Sequence, residues 1–396
     1  MVTRQLCPYA TSHLARFTER RGFVRIRCIA SQPDTRFDPR TPRIQHARDK
    51  WLPQRCAPHA VLLRVVLFAA ASTLALAASA RNGEPLKLVQ TIPLPEIEGR
   101  IDHFSIDVQG QRAFLAALTK NTIEVVDLKA GRVAQTLAGF AKPQGVLFVP
   151  EFNELFVATG ADGAVKTLDG TSLALTRTAN VSLGADAIGY DPRSKEIYVG
   201  SGGTDANKEL GDLTVFNAAT GAQLAALTAD AHVGGSLVQS HGEHLFVLVP
   251  EKAQVLVLDR RTHARVAKWT VPGIQKNVAL DLDEKTHRLF LGVRIPASIV
   301  VLNTDTGAVV TSLPTVATLD GLWFDAATRR IYTSGGEGFV DVTQQLDADH
   351  YQRIAHIATG PIARTSVFVP TWRKLYVAVP RDEQRGAELR VFRVVP

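Results

Sequence analysis

Residues 104–127 read FSIDVQGQRAFLAALTKNTIEVVD, three short apolar runs separated by turns. The phrase returns six times: VLFVPEFNELFVATGADGAVKTLD from Val146, IGYDPRSKEIYVGSGG from Ile188 and LVQSHGEHLFVLVPEKAQVLVLD from Leu237. It continues as LDLDEKTHRLFLGVRIPASIVVLN from Leu280, LWFDAATRRIYTSGGEGFVDV from Leu322 and SVFVPTWRKLYVAVP from Ser366. The aromatic of the second run falls at Phe114, Phe156, Tyr198, Phe246, Phe290, Tyr332 and Tyr376, spaced by 42, 42, 48, 44, 42 and 44 residues. A fixed period of this size marks a repeat architecture. The runs are rich in Val, Leu, Ile, Phe and Tyr and bounded by Gly, Asp, Asn and Pro, so each copy is built of strands.

A fourth strand follows each of the first six phrases: Arg132–Thr136, Leu173–Thr178, Gln223–Leu227, Arg265–Trp269, Ala308–Leu313 and Arg353–Ile357. Turns such as Lys129-Ala130-Gly131 and Asp305-Thr306-Gly307 lead into it, with glycine supplying the positive φ that a tight hairpin needs. Four antiparallel strands in seven copies predict an all-β, seven-bladed β-propeller over 81–396. The seventh copy has only three strands, ending at Leu389–Val395. Leu86–Pro93 precedes the first copy and has no other place, so it is expected to be the outer strand of the last blade and to close the ring.

The leader differs in composition. Residues 1–80 hold 13 Lys+Arg against 4 Asp+Glu, whereas the remainder holds 32 against 34, a net −2. The repeat region therefore has no overall field to attract phosphate, and nucleic acid is not an expected partner. Residues 1–60 read as a basic, disordered leader or as an extension upstream of a true start at Val61. Val61–Ala80, with Arg64 before an apolar run ending in Ala78-Ser79-Ala80, reads as a signal peptide cleaved after Ala80; the rival is an uncleaved anchor. A periplasmic or secreted monomer with no membrane span after cleavage is the expectation. All three cysteines (Cys7, Cys28, Cys56) lie in the leader, leaving the repeats without disulfide, thiolate metal site or cysteine nucleophile.

The start of each blade's first strand should lie at one mouth of the central channel. The position two before each first strand is occupied by Asp102, Gln144, Asp186, Gly234, Val278, Asp320 and Arg364, with His103 and Asn277 adjacent. Loops between second and third strands add Lys120-Asn121, Asp162, Gly202–Asp212, Glu251-Lys252, Arg294, Glu337 and Arg381-Asp382 to the same face. Loops on a rigid scaffold carry function, so the candidate ligand site is Arg100, Asp102, His103, Gln144, Asp186, Asn277, Asp320, Glu337 and Arg364.

Two second-strand phrases, Ile197-Tyr198-Val199-Gly200-Ser201 and Leu375-Tyr376-Val377-Ala378-Val379, resemble the namesake element of the secreted YncE-like or YVTN-repeat propellers. The third-strand endings Val126-Asp127-Leu128 and Leu258-Asp259 resemble the same family's recurring element. The resemblance covers about 86–396 and implies an exported seven-bladed propeller; it carries no catalytic motif.

Adjacent Asp102 and His103 could form a general-base pair, but neighbours on a regular strand face opposite ways. The bland reading has Asp102 holding a turn and His103 packing between blades. Asp102, Asp186, Asp320 and Glu337 with Gln144 and Asn277 offer hard oxygen ligands for Ca2+ or Mg2+, which Arg364 would oppose; no cofactor is expected. Gly335-Gly336-Glu337-Gly338 precedes a strand, not a helix, and reads as a hairpin turn. Of eight histidines in 81–396 only His103 and His232 fall near the mouth, and Trp269, Trp323 and Trp372 read as packing between sheets. The chain is read as a non-catalytic binding scaffold for a small ligand or cell-envelope partner. The alternative is a lactonase-like hydrolase or quinoprotein-type dehydrogenase at the same face; a third, weaker reading is binding of single-stranded nucleic acid or cell-wall polymer.

Overall fold

The computed structural model describes residues 83–396. The leader expected at 1–60 and the export signal at 61–80 lie outside the described residues. Every described blade is a four-stranded antiparallel sheet, and seven of them form the ring of a β-propeller. Blade 1 comprises Ile101–Asp107, Arg112–Ala117, Thr122–Asp127 and Arg132–Ala138, paired in chain order from the channel outwards. Blades 2 to 6 repeat this order. Among the described residues no helix is long and apolar enough to cross a membrane.

Blade 7 takes its inner three strands from the C-terminal end of the chain and its outer strand, Leu86–Pro93, from the beginning. Leu86 faces Val394 and Pro93 faces Glu388 across this antiparallel pair. Leu86 and Ile92 of the closing strand are fully buried, Leu86 in the core shared with blade 6 and Ile92 in that shared with blade 1. The expected closure is therefore the observed one.

Burial follows the strand order. Middle strands are covered on both faces, and the seven repeat aromatics are buried completely or nearly so. They pack sheet against sheet: Phe114 lies 5.6 Å from Phe148 of blade 2, Phe290 5.1 Å from Phe324 of blade 6, and Tyr332 5.3 Å from Phe368 of blade 7. Burying each such ring contributes about 2–3 kcal/mol, which makes the repeat aromatic the main unit of blade-to-blade cohesion. Outer strands alternate exposed and half-buried residues, because only one of their faces meets a neighbour.

The hairpin into each of the outer strands of blades 1–5 uses one device. In blade 1, Asp127 Oδ1 accepts from the N–H groups of Lys129 and Ala130, and the Gly131 N–H donates to the Asp127 carbonyl. Gly131 has φ +68° there, where a side chain would be strained. Blades 2 and 4 make the same turn with Leu173 and His263 at positive φ. The outer strands of blades 2 and 5 begin at Leu175 and Val309, slightly later than expected, because the turn residues before them are occupied in this motif. Gly335–Gly338 is the expected hairpin turn.

Candidate functional site

Strand pairing places Ser105, Leu147, Gly189, Leu237, Asp281, Trp323 and Val367 opposite the seven repeat aromatics. Three residues upstream of these lie Asp102, Gln144, Asp186, Gly234, Val278, Asp320 and Arg364, so the expected ring is one structural position repeated seven times. One detail differs from expectation. In blades 1, 2, 5 and 6 the inner strand begins early and runs through this position instead of starting after it.

The cause is a β-bulge. Pairing skips between Ile101 and Phe104, Pro143 and Val146, Asn277 and Ala279, and Leu319 and Gly321. Each skip falls on Asp102, Gln144, Val278 or Asp320. A bulge breaks the alternation of a strand and re-aims its side chains, which is why adjacent Asp102 and His103 both reach the mouth, one in each of two clusters. Gly145, inside the blade 2 bulge, lets that strand approach blade 3: a Cβ there would meet the Asp186 carbonyl at 2.0 Å.

Two ion clusters result. In the first, Asp320 lies among three guanidinium groups. Arg294 Nη2 is 2.6 Å from its Oδ1, Arg364 Nε is 3.2 Å from its Oδ2, and Arg100 Nη2 is 3.9 Å from the same oxygen. Arg100 Nη2 also donates to Asp102 Oδ1 at 2.8 Å. Arg294 is fixed by donating from Nε to the Leu319 carbonyl at 2.8 Å. Asp102 is completely buried; burial pushes its pKa up to about 6, against the lowering charges of His103 and Arg100. Arg364 is pushed below the usual arginine value by burial and by the like charge of Arg100.

In the second cluster two imidazoles flank Asp186. His232 Nε2 lies 3.5 Å from its Oδ2 and His103 Nε2 3.7 Å from its Oδ1. His232 Nδ1 is 3.1 Å from the Gly202 carbonyl and Nε2 faces the carboxylate, two acceptors that the charged imidazolium serves with both of its N–H groups. Burial opposes ionisation of Asp186, but the bond from His232 and the charges of His103, His232 and Arg100 carry it down to about 2. Both histidines are raised: burial works against their charge, and the surrounding carboxylates, Asp102 and Asp186 for His103 and Asp186 for His232, outweigh it.

A cavity of about 230 Å³ opens between the clusters, lined by Arg100, His103, Gln144, Asp186, His232, Lys276, Arg294 and Asp320 with Glu251 at its edge. It adjoins a cavity of about 270 Å³ in the channel, which His103 and Asp320 also line. Of the expected site residues, Arg100, Asp102, His103, Gln144, Asp186, Asp320 and Arg364 come together in or against these clusters. Asn277 does not: its Nδ2 donates to the Gln254 carbonyl of blade 4 at 2.9 Å, and it is its neighbours Lys276 and Val278 that line the cavity. Glu337 stays exposed outside it, accepting from the Ala317 N–H at 2.9 Å.

Arg294 and His232 belong to the site although the sequence pattern did not select them. Both lie on the mouth face, yet nothing local tells which side chain of such a loop turns inward. Trp323 both packs against blade 7 and lines the channel, its Nε1 donating to the Ser366 carbonyl at 2.9 Å. Around the mouth, the buried atoms without a hydrogen-bond partner among the described residues include Asp102 Oδ2, Gln144 Oε1, Asp186 Oδ1, Asp320 Oδ2 and the Nε atoms of Arg100 and Arg364; others, such as Arg177 Nε and Ser194 Oγ, lie away from it. Among the described residues no group of three or more His, Cys, Asp and Glu is arranged to hold a metal ion.

No protein-family model matches the chain, and none of the curated proteins matches it. Solved structures do. A chain of "Crystal Structure of Mitotic Checkpoint Complex" aligns with TM-score 0.66 at 16% identity, covering 80% of this chain and 94% of that one. A chain of the hydrazine synthase of Kuenenia stuttgartiensis aligns with TM-score 0.62 at 14% identity, covering 73% of this chain and 96% of that one. At these identities the likeness concerns the fold alone, and the chain is a seven-bladed β-propeller.

Proposed function

We propose that the chain is an exported, YncE-like, non-catalytic propeller that binds a small polar ligand at the channel mouth. The carrying observation is the convergence at the mouth of Arg100, Asp102, His103, Asp186, His232, Arg294, Asp320 and Arg364, from six blades, six of these residues lining one cavity. Buried charges destabilise a fold unless paired and hydrogen-bonded, so several unpartnered polar atoms in one place favour a site built for a polar guest.

A thermal-shift screen of polar metabolites against the full-length protein tests this reading. At least one compound should stabilise the wild type and fail to stabilise Asp320→Asn and Arg364→Gln. If every stabilising compound acts equally on wild type and both variants, the mouth is not the site. N-terminal sequencing of protein recovered from the periplasm or medium tests export, a residue from 1–60 in that product counting against the signal at 61–80. The retained alternative, a lactonase-like hydrolase, rests on the two imidazoles flanking Asp186; stoichiometric divalent metal in the purified protein would favour it.

A further inference from the structure

The mouth is crowded with cationic donors in an uneven way. At one end Arg100, Arg294 and Arg364 share the two carboxylates of Asp102 and Asp320. The Nε groups of Arg100 and Arg364 are buried without a hydrogen-bond acceptor. At the other end Asp186 is already flanked by His103 and His232. Each carboxylate thus has a cation beside it, and at the arginine end three guanidiniums face two carboxylates. Guanidinium forks match the planar, paired oxygens of carboxylate and phosphate, and such charge-assisted bonds are about twice as strong as neutral ones.

We propose that the guest of this mouth is a compact oxyanion, a carboxylate or phosphate compound, whose anionic oxygens lie against Arg100 and Arg294, the two arginines that line the cavity. This rests on the reading of the mouth as a binding site. The cavity of about 230 Å³ is smaller than the ~300–1,000 Å³ of sites for drug-sized ligands, so the guest is small. A cation fits less well, since Asp320 and Asp186 would have to exchange their arginine and histidine partners for it.

Binding is linked to protons. The charged groups around the mouth are Arg100, Arg294, Arg364 and Lys276 against Asp102, Asp186, Asp320 and Glu251, with His103 and His232 as the titrating balance. Protonating either imidazole, or neutralising Asp102, makes the mouth more positive. Each raised group favours its protonated form, so an oxyanion binds more tightly as pH falls.

The test is isothermal titration of the full-length protein with succinate, inorganic phosphate, putrescine and glucose at about pH 6 and about pH 8. Succinate or phosphate should bind, at least about fivefold more tightly at the lower pH, and whichever binds identifies carboxylate or phosphoryl chemistry. Arg100→Gln and Arg294→Gln should each weaken binding at least about tenfold. Arg100→Lys should recover part of that loss, and Arg193→Gln, on the opposite face, should change nothing. Absence of binding by both anions at both pH values overturns the oxyanion class. Binding of putrescine or glucose instead, abolished by Asp320→Asn, also overturns it while leaving the mouth as the site. Anion binding that ignores pH overturns the proton linkage, and binding unaffected by any mouth variant overturns the site itself.

Discussion

Arg294, at the end of the second strand of blade 5, pairs at 2.6 Å with Asp320 on the inner strand of blade 6. The side chain of Asp320 is only 8% exposed, so it depends on its arginines for its charge. Removing the shared carboxylate leaves three guanidiniums facing one another; removing one guanidinium leaves two to serve it. Asp320→Ala should therefore destabilise by on the order of 3 kcal/mol, and Arg294→Gln by about 1 kcal/mol or less. Urea denaturation checks the order, and an equal effect of the two would show that Arg364 and Arg100 do not share the load.

His232 and the pH dependence of stability. The folded pKa of His232 is raised, so its contribution is fully present below the ordinary imidazole value and is lost as pH rises through the folded one. The stability of wild type relative to His232→Gln should be greatest at acid pH and shrink towards alkaline pH. Denaturation midpoints of the pair across pH 5 to 9 read this directly, and a difference that grows with pH contradicts it.

Asp281 has the same sense in pH but acts as a penalty. It is the channel-side residue opposite Phe290, and burial raises its pKa to about 6, although the N–H groups of Phe324 and Leu282 work to lower it. Its ionisation is harder in the folded state, so its penalty grows from the ordinary value of 3.8 and is complete above about 6. Asp281→Asn should gain on the wild type between pH 4 and pH 7, by up to about 3 kcal/mol less the loss of one backbone bond. A pH-independent difference would mean that Asp281 titrates as it does in an unfolded chain.

A buried pair on the other face is a structural control. Arg260 donates from Nε to Asp191 Oδ2 at 2.9 Å and from Nη2 to Oδ1, joining blades 4 and 3, and both side chains are buried. Arg260→Met leaves Asp191 buried without its partner and should cost about 3–5 kcal/mol. Ligand affinity at the mouth should not change in whatever folded protein remains. A loss of affinity there would tie the two faces together.

Closure of the ring is tested at Ile92, which is fully buried in the strand that completes blade 7. Ile92→Ala should cost about 2–5 kcal/mol. Ile92→Asp should detach the strand, bare the edge at Glu388–Val394 and promote self-association through that edge. Light scattering and denaturation measure both, and a monomeric, stable Ile92→Asp protein would show that the ring holds without its closing strand.

The blade count, strand order and closing strand were legible in the residues because alternation, turn chemistry and period are local and repeat seven times. The ring position at the mouth was legible for the same reason: Asp102, Asp186 and Asp320 share one place in the repeat. Which side chains turn inward was not. Bulges at Asp102, Gln144, Val278 and Asp320 override alternation in blades 1, 2, 5 and 6.

What the amino-acid sequence determined by itself was the blade, since hydrophobic period and turn residues act over a few positions. Only the tertiary structure decided the site. Arg294 meets Asp320, and His232 meets Asp186, across blade boundaries, through distances that follow from closing the circle. Asn277 turns into blade 4 while its neighbours Lys276 and Val278 line the cavity, since successive residues point to opposite sides.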